Sequence, residues 1–137
     1  MRDALVSAAR RLNASGINQG KSGNLSVRTG AGFLVTPSGV PYERLAPEDL
    51  AFVRRYGTYD GPHKPSSEWR FHRDIYAHRP EAHAVVHCHS WYATTLACLR
   101  RGIDSASQAV AAGQMSAAPS ARRAAPAMTC AKLPDVA

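Results

Sequence analysis

The stretch Pro65-Ser66-Ser67-Glu68-Trp69-Arg70-Phe71-His72-Arg73-Asp74-Ile75-Tyr76-Ala77-His78-Arg79-Pro80-Glu81-Ala82-His83-Ala84-Val85-Val86-His87-Cys88-His89 decides the fold class. Ser66 or Ser67 is a helix-capping residue, and the segment behind it reads as a helix through about His78. Pro80 stops that helix, as a proline just past a helix end does. Ala84 to His89 then reads as a strand. Ser90 is placed to cap a further helix, with Trp91, Thr95 and Leu99 roughly on one stripe. Helix, stop, strand and helix in direct succession point to a layered α/β domain.

The same alternation continues upstream. Leu5, Ala8, Ala9 and Leu12 recur at helical spacing, which predicts a helix over residues 2–14, ended by Asn13, Ser15 and Gly16. Leu25 to Arg28 and Gly32 to Thr36 are short strand-like runs, and Thr29-Gly30-Ala31-Gly32 between them reads as a hairpin loop. Thr36-Pro37-Ser38-Gly39 is a turn. Pro47 to Leu50 suggests a single helical turn, and Ala51 to Tyr56 and Thr58-Tyr59 are strand candidates. A hairpin among intermixed helices and strands implies a mixed sheet.

Composition narrows the class. The chain has 137 residues, 45% hydrophobic and 20% charged, which excludes a wholly disordered chain, a collagen and a disulfide scaffold. No apolar run reaches the length of a membrane span, and residues 1–11 carry charges in place of a signal peptide's apolar region. No membrane partner is therefore expected. Cys88, Cys98 and Cys130 are three, without paired spacing, which suits a reducing cytoplasm. The net charge is +7, yet the basic residues are dispersed and no basic stripe interleaves with aromatics, so no nucleic-acid partner is expected.

Four segments could carry chemistry. His87 and His89 are two apart on a strand, so both imidazoles lie on one face and form a natural metal pair. The alternative is two half-buried histidines at a strand end. Ser66, Ser67 and Glu68 put two hydroxyls and a carboxylate at a helix start, where free N–H groups favour anions. Taken alone, ordinary helix capping is the better account of that pattern. Ser22-Gly23-Asn24-Leu25-Ser26 and Thr36-Pro37-Ser38-Gly39 are each ordinary turns, but three loops of glycine with hydroxyl or amide could together cradle a phosphate.

Taken in order, Lys21-Ser22-Gly23-Asn24-Leu25-Ser26-Val27-Arg28, Thr36-Pro37-Ser38-Gly39-Val40-Pro41-Tyr42, Pro65 to His72 and Ala84 to His89 resemble the successive motifs of the class II aldolase/adducin family, from about residue 4 to Ile103. The members most resembled are aldolases of the L-fuculose-phosphate type. The resemblance implies a three-layer α/β/α domain around a mainly antiparallel sheet. It implies phosphate binding by Gly23, Asn24, Ser38, Gly39, Ser66 and Ser67. It further implies Glu68 as catalytic acid/base able to approach the metal, and His87 and His89 as two of three Zn2+ ligands. The implied reaction cleaves a fuculose-1-phosphate-like ketose, through a metal-stabilised enediolate, to dihydroxyacetone phosphate and an aldehyde. The expected partner is a phosphorylated sugar, and the family's aldolases are homotetramers with the site near a subunit interface. Related members are a sugar-phosphate epimerase, a dehydratase and the adducin scaffolds.

From residue 104 the pattern changes. Residues 104–137 hold 12 alanines with scattered Ser and Pro and no aromatic residue, which reads as a flexible tail or as translation in a shifted frame. Against the family, the domain over residues 1–103 is then C-terminally incomplete. The third zinc histidine and a later tyrosine are missing, since no histidine follows His89. An inactive member is the alternative to an enzyme. His72, one turn past Glu68, is expected to pack or to be solvated.

Overall fold

The computed structural model describes residues 1–18 and 22–100 and the strand Met128–Cys130. The expected tail at 104–137 otherwise lies outside the described residues, as do Lys21 and residues 101–103. The elements are α1 (Arg2–Ala14), β1 (Asn24–Thr29), β2 (Gly32–Val35), β3 (Ala51–Arg54), β4 (Tyr59–Asp60), α2 (Trp69–His78), β5 (Ala84–Cys88), α3 (Trp91–Cys98) and β6 (Met128–Cys130), with a 3-10 turn at Pro47–Asp49.

The strands form one sheet in the order β4-β3-β2-β1-β5-β6. Every pairing among the described residues is antiparallel, which corrects the mixed sheet read from element alternation and agrees with the mainly antiparallel one. The physical reason is the route of the chain. β1–β2 and β3–β4 are joined locally, and α2 carries the chain from the β4 edge to the far side of β1, where β5 returns antiparallel to it.

Alternation along the strands splits the core into two layers. Leu25, Leu34, Phe52 and Val86 face α1, meeting Leu5, Val6, Ala8 and Ala9. Phe33, Val35, Val53 and Val85 face α2, meeting Trp69 and Tyr76. One helix on each face makes the α/β/α arrangement. Leu45 and Leu50 close the α1 layer from the long β2–β3 connection, each wholly buried and contributing about 1.5–3 kcal/mol.

Several boundaries and one helix face differ from expectation: β3 ends at Arg54 rather than Tyr56, and β4 is Tyr59–Asp60 rather than Thr58-Tyr59. α2 begins at Trp69, not at a Ser66 or Ser67 cap. Ser66 N–H donates to the Thr36 carbonyl (3.1 Å) and Ser38 N–H to that of Lys64 (2.9 Å), so residues 64–66 are held extended beside the Thr36 turn. The helix starts only after the chain leaves that bridge. β5 ends at Cys88, one residue before His89. On α3 the stripe of Trp91, Thr95 and Leu99 points outward, and Ala93 is the residue that packs inward.

Candidate active site

The surface where β1 meets α2 is polar, and its spacing is regular. Asn24, Ser26 and Arg28 recur every second residue of the strand, and so share a face. Glu68, His72 and Tyr76 recur every fourth residue along α2 from its N-cap, and so share a stripe. Two strand residues rise about 6.6–6.8 Å and four helix residues about 6.0 Å, so the two series stay in step.

Each strand residue bridges two steps of the helix. Asn24 Nδ2 donates to Glu68 Oε2 at 2.7 Å, and its Oδ1 meets His72 Nε2. Ser26 Oγ lies 2.6 Å from His72 Nδ1 and 2.7 Å from the Tyr76 hydroxyl. The Arg28 guanidinium lies over the Tyr76 ring and donates to the carbonyls of Tyr76, Arg79 and Ala82, satisfying the end of α2. His72 is fully buried, and burial, with the neighbouring His87 charge adding to it, pushes its imidazole down to about 3. Burial likewise pushes the Tyr76 hydroxyl up to about 12.

The register then places the metal pair. Asn24 is directly opposite His87 across the β1–β5 ladder, so their side chains are neighbours on the α2 face. His87 is buried under the stacked ring of Phe71. Its Nε2 lies 3.0 Å from His89 Nε2 and 3.1 Å from Glu68 Oε2, while His89 Nε2 is 4.0 Å from Glu68 Oε1. Glu68, His87 and His89 thus offer three ligand atoms within 4.8 Å of one another. A tetrahedral ion with ligands at about 2.0–2.2 Å keeps them about 3.3–3.6 Å apart. The observed separations bracket that range, and nitrogen with carboxylate oxygen is a donor set zinc accepts. Burial lowers the His87 pKa, opposed by Glu68 and reinforced by His89, which favours the neutral imidazole a metal requires.

Beside Glu68 opens a cavity of about 460 Å³. All six residues singled out as phosphate-binding (Gly23, Asn24, Ser38, Gly39, Ser66 and Ser67) line it, together with Glu68. The Pro37–Pro65 bridge holds two of the loops side by side, and Tyr42 ties in the third by donating to the Gly23 carbonyl at 2.6 Å. Gly39 takes a φ of +80°, where a side chain would be strained. The backbone amides of Ser38 and Ser66 are engaged in the bridge, so toward a ligand these residues offer hydroxyls. Asn24 reaches the cavity with its amide already bonded to Glu68 and His72.

Sequence reasoning brought together Glu68, His87, His89 and the three loops. It missed Ser26, Tyr76 and Arg28, and it left His72 as a packing or solvated residue, whereas His72 joins Asn24 to Ser26. The signal available was the pair of matched polar periods, Asn24-x-Ser26-x-Arg28 and Glu68-x-x-x-His72-x-x-x-Tyr76.

Comparison with known proteins identifies the family and the fold. A family model described as the class II aldolase and adducin N-terminal domain matches residues 3–132. The chain is 51% identical over 105 residues to a 5-methylthioribulose-1-phosphate/5-deoxyribulose-1-phosphate aldolase of Rhodospirillum rubrum, covering 77% of this chain and 48% of the relative. It is 38% identical over 117 residues to the L-fuculose phosphate aldolase of Escherichia coli strain K12, covering 85% and 54% respectively. A solved L-fuculose 1-phosphate aldolase superposes with a TM-score of 0.69 at 33% identity, covering 73% of this chain and 49% of that one. The chain spans about half the length of the curated relatives it matches.

Proposed function

The chain belongs to the class II aldolase and adducin family, and from that premise we propose that its site performs zinc-dependent aldehyde-lyase chemistry on a phosphorylated ketose. The observation that carries this reading is the contact of Glu68 with His87 at 3.1 Å, at the edge of a cavity lined by all six loop residues. The three loops would hold the phosphate, with Ser38, Ser66 and Ser67 presenting hydroxyls and Gly39 letting the backbone approach closely. The net charge of +7 favours such an anion. Fixing the phosphate orients the remainder of the sugar toward Glu68 and the two histidines.

His87 and His89, with Glu68 beside them, would hold the zinc ion, whose contribution is Lewis-acid stabilisation of the negative charge that develops as the C–C bond breaks. As the C–C bond breaks, the hydroxyl on the departing carbon would lose its proton to solvent and that fragment would leave as the aldehyde; Glu68 would deliver a proton to the enediolate carbon, releasing dihydroxyacetone phosphate, and condensation would run the same transfers in reverse. Asn24 donates to Glu68 Oε2 and so orients the carboxylate for that transfer. The preferred substrate is a fuculose-1-phosphate-like ketose, in a homo-oligomer.

The test is a zinc assay joined to a cleavage assay. Fuculose 1-phosphate and 5-deoxyribulose 1-phosphate are supplied separately, and release of dihydroxyacetone phosphate is followed. Bound zinc, product release, and a loss of about 10²–10⁴-fold in Glu68→Gln support the reading. No zinc and no product from either ketose overturns it for this chain and leaves an adducin-like, inactive member.

A further inference from the structure

We infer that His72 is a positioning residue: its neutral imidazole locks the Asn24 amide with the NH2 group toward Glu68, and so aims the carboxylate at His87. The inference rests on the role proposed for Glu68. Its own basis is the chain of hydrogen bonds across the β1–α2 seam.

The direction of every bond in that chain follows from one end together with the neutrality of the fully buried His72 ring. Glu68, as a carboxylate, only accepts. Asn24 must therefore turn its NH2 group to Glu68 Oε2, at 2.7 Å, and its carbonyl to His72. A carbonyl only accepts, so His72 must carry its proton on Nε2. A neutral imidazole has no second proton, so Nδ1 accepts from the Ser26 hydroxyl at 2.6 Å. Ser26 has then given its only proton away and accepts from Tyr76, at 2.7 Å. Asn24, Ser26 and His72 are all buried, so water cannot substitute for a missing partner.

The consequence is a one-way device. If His72 presented a bare nitrogen to Asn24, the amide would flip and its carbonyl would face the Glu68 carboxylate. Two acceptors would then repel, and the carboxylate would swing from its place against His87. Packing alone would hold an apolar side chain at position 72 but would not set the amide's orientation. His72 touches neither the metal ligands' donor atoms nor the cavity among its observed partners, so it acts through Asn24.

Two measurements test this on the full chain. The first is nitrogen NMR of the metal-free protein at pH 7. The expected result is a neutral His72 ring with its proton on Nε2 and an Asn24 side-chain amide protected from exchange. A ring protonated on Nδ1, or on both nitrogens, overturns the proposal. The second is titration with zinc alone, comparing His72→Leu with His72→Gln. Gln can still donate to Asn24 and accept from Ser26, whereas Leu does neither. His72→Leu is expected to lose about 10–100-fold in zinc affinity, and His72→Gln to recover most of it. Folded His72→Leu protein with undiminished affinity overturns the proposal, as does a Gln variant no better than Leu. Where His72→Leu does not fold, the NMR result and the Gln variant decide. Zinc binding absent from the parent chain removes the functional reading instead, and the NMR result then decides the His72 chain by itself.

Discussion

Gly23→Ala tests whether the metal pair is held in place by a close backbone approach. A Cβ built on Gly23 would lie 2.8 Å from the His87 carbonyl oxygen and 2.7 Å from Asn18 Cγ. Ordinary contact begins at 3.4 Å, so β1 and β5 must open by about 0.6 Å at the residue that carries a ligand imidazole. Gly23 has an ordinary negative-φ backbone, so the cost is steric rather than conformational. Overpacking of this kind costs about 1–3 kcal/mol. Gly30→Ala is the matched control, because nothing lies within 4 Å of its Cβ and its φ is likewise ordinary. Both variants gain about 0.4–1 kcal/mol from a stiffer unfolded chain, so their difference isolates the clash. Urea unfolding followed by tryptophan fluorescence should place Gly23→Ala about 1–3 kcal/mol below Gly30→Ala. Zinc titration should show weaker binding in Gly23→Ala alone, since a site tolerates displacements of only about 0.5 Å. Equal stability and equal zinc affinity in the two variants would refute the reasoning.

Stability should fall with acidification. His72 is held down to about 3 in the fold and returns to its ordinary value, about 6.5, when unfolded, so between those limits the unfolded chain binds the extra proton. Its contribution is complete above about pH 6.5 and is lost at up to about 1.4 kcal/mol per pH unit as pH falls toward 3, with buried His87 acting in the same direction. Urea midpoints from pH 7 to pH 4 should drop accordingly, and should drop less steeply in His72→Gln; equal slopes refute the assignment. Arg28→Ala removes three carbonyl bonds and the stacking on Tyr76, and should cost about 2–4 kcal/mol in the same unfolding assay. A change under about 0.5 kcal/mol would mean the end of α2 is satisfied by water.

Most elements were legible because their patterns are local. Leu5, Ala8 and Ala9 do face the core from α1, and Pro80 does follow the end of α2. The hairpin at Gly30-Ala31 falls where its turn residues put it. What the local pattern does not show is tertiary. Asn24, Ser26 and Arg28 alternate with Leu25 and Val27 as a solvent-facing edge would, yet that face lies under α2. A buried polar face and a wetted one have the same period, and only the partner helix distinguishes them. The start of α2 was likewise hidden, because the bridge between Pro37 and Pro65 joins segments far apart in sequence. The site residues were read from spaced motifs, and the loops do converge on one cavity. The role of His72 was not legible, since one histidine a turn past Glu68 looks the same whether it packs, binds metal or orients a neighbour.

This much of the site is assembled by one ladder and one helix. β1 sets Asn24 against His87 in register, and α2 presents Glu68 from its N-cap to both. The loops that line the cavity enter from the ends of β1, β2 and α2, so they are fixed by the same elements. The side chains in these contacts all lie at or before His89, while the backbone of β5 is also paired with β6. A further ligand would therefore add to a donor set already oriented, raising affinity without creating the geometry. On that argument the hydrogen bonds from Tyr76 to Glu68 are the part of the site most sensitive to single substitutions. Each inner member, Ser26, His72 and Asn24, donates to one neighbour and accepts from the other, and Glu68 only accepts, so the order of the series is lost when an inner member is removed.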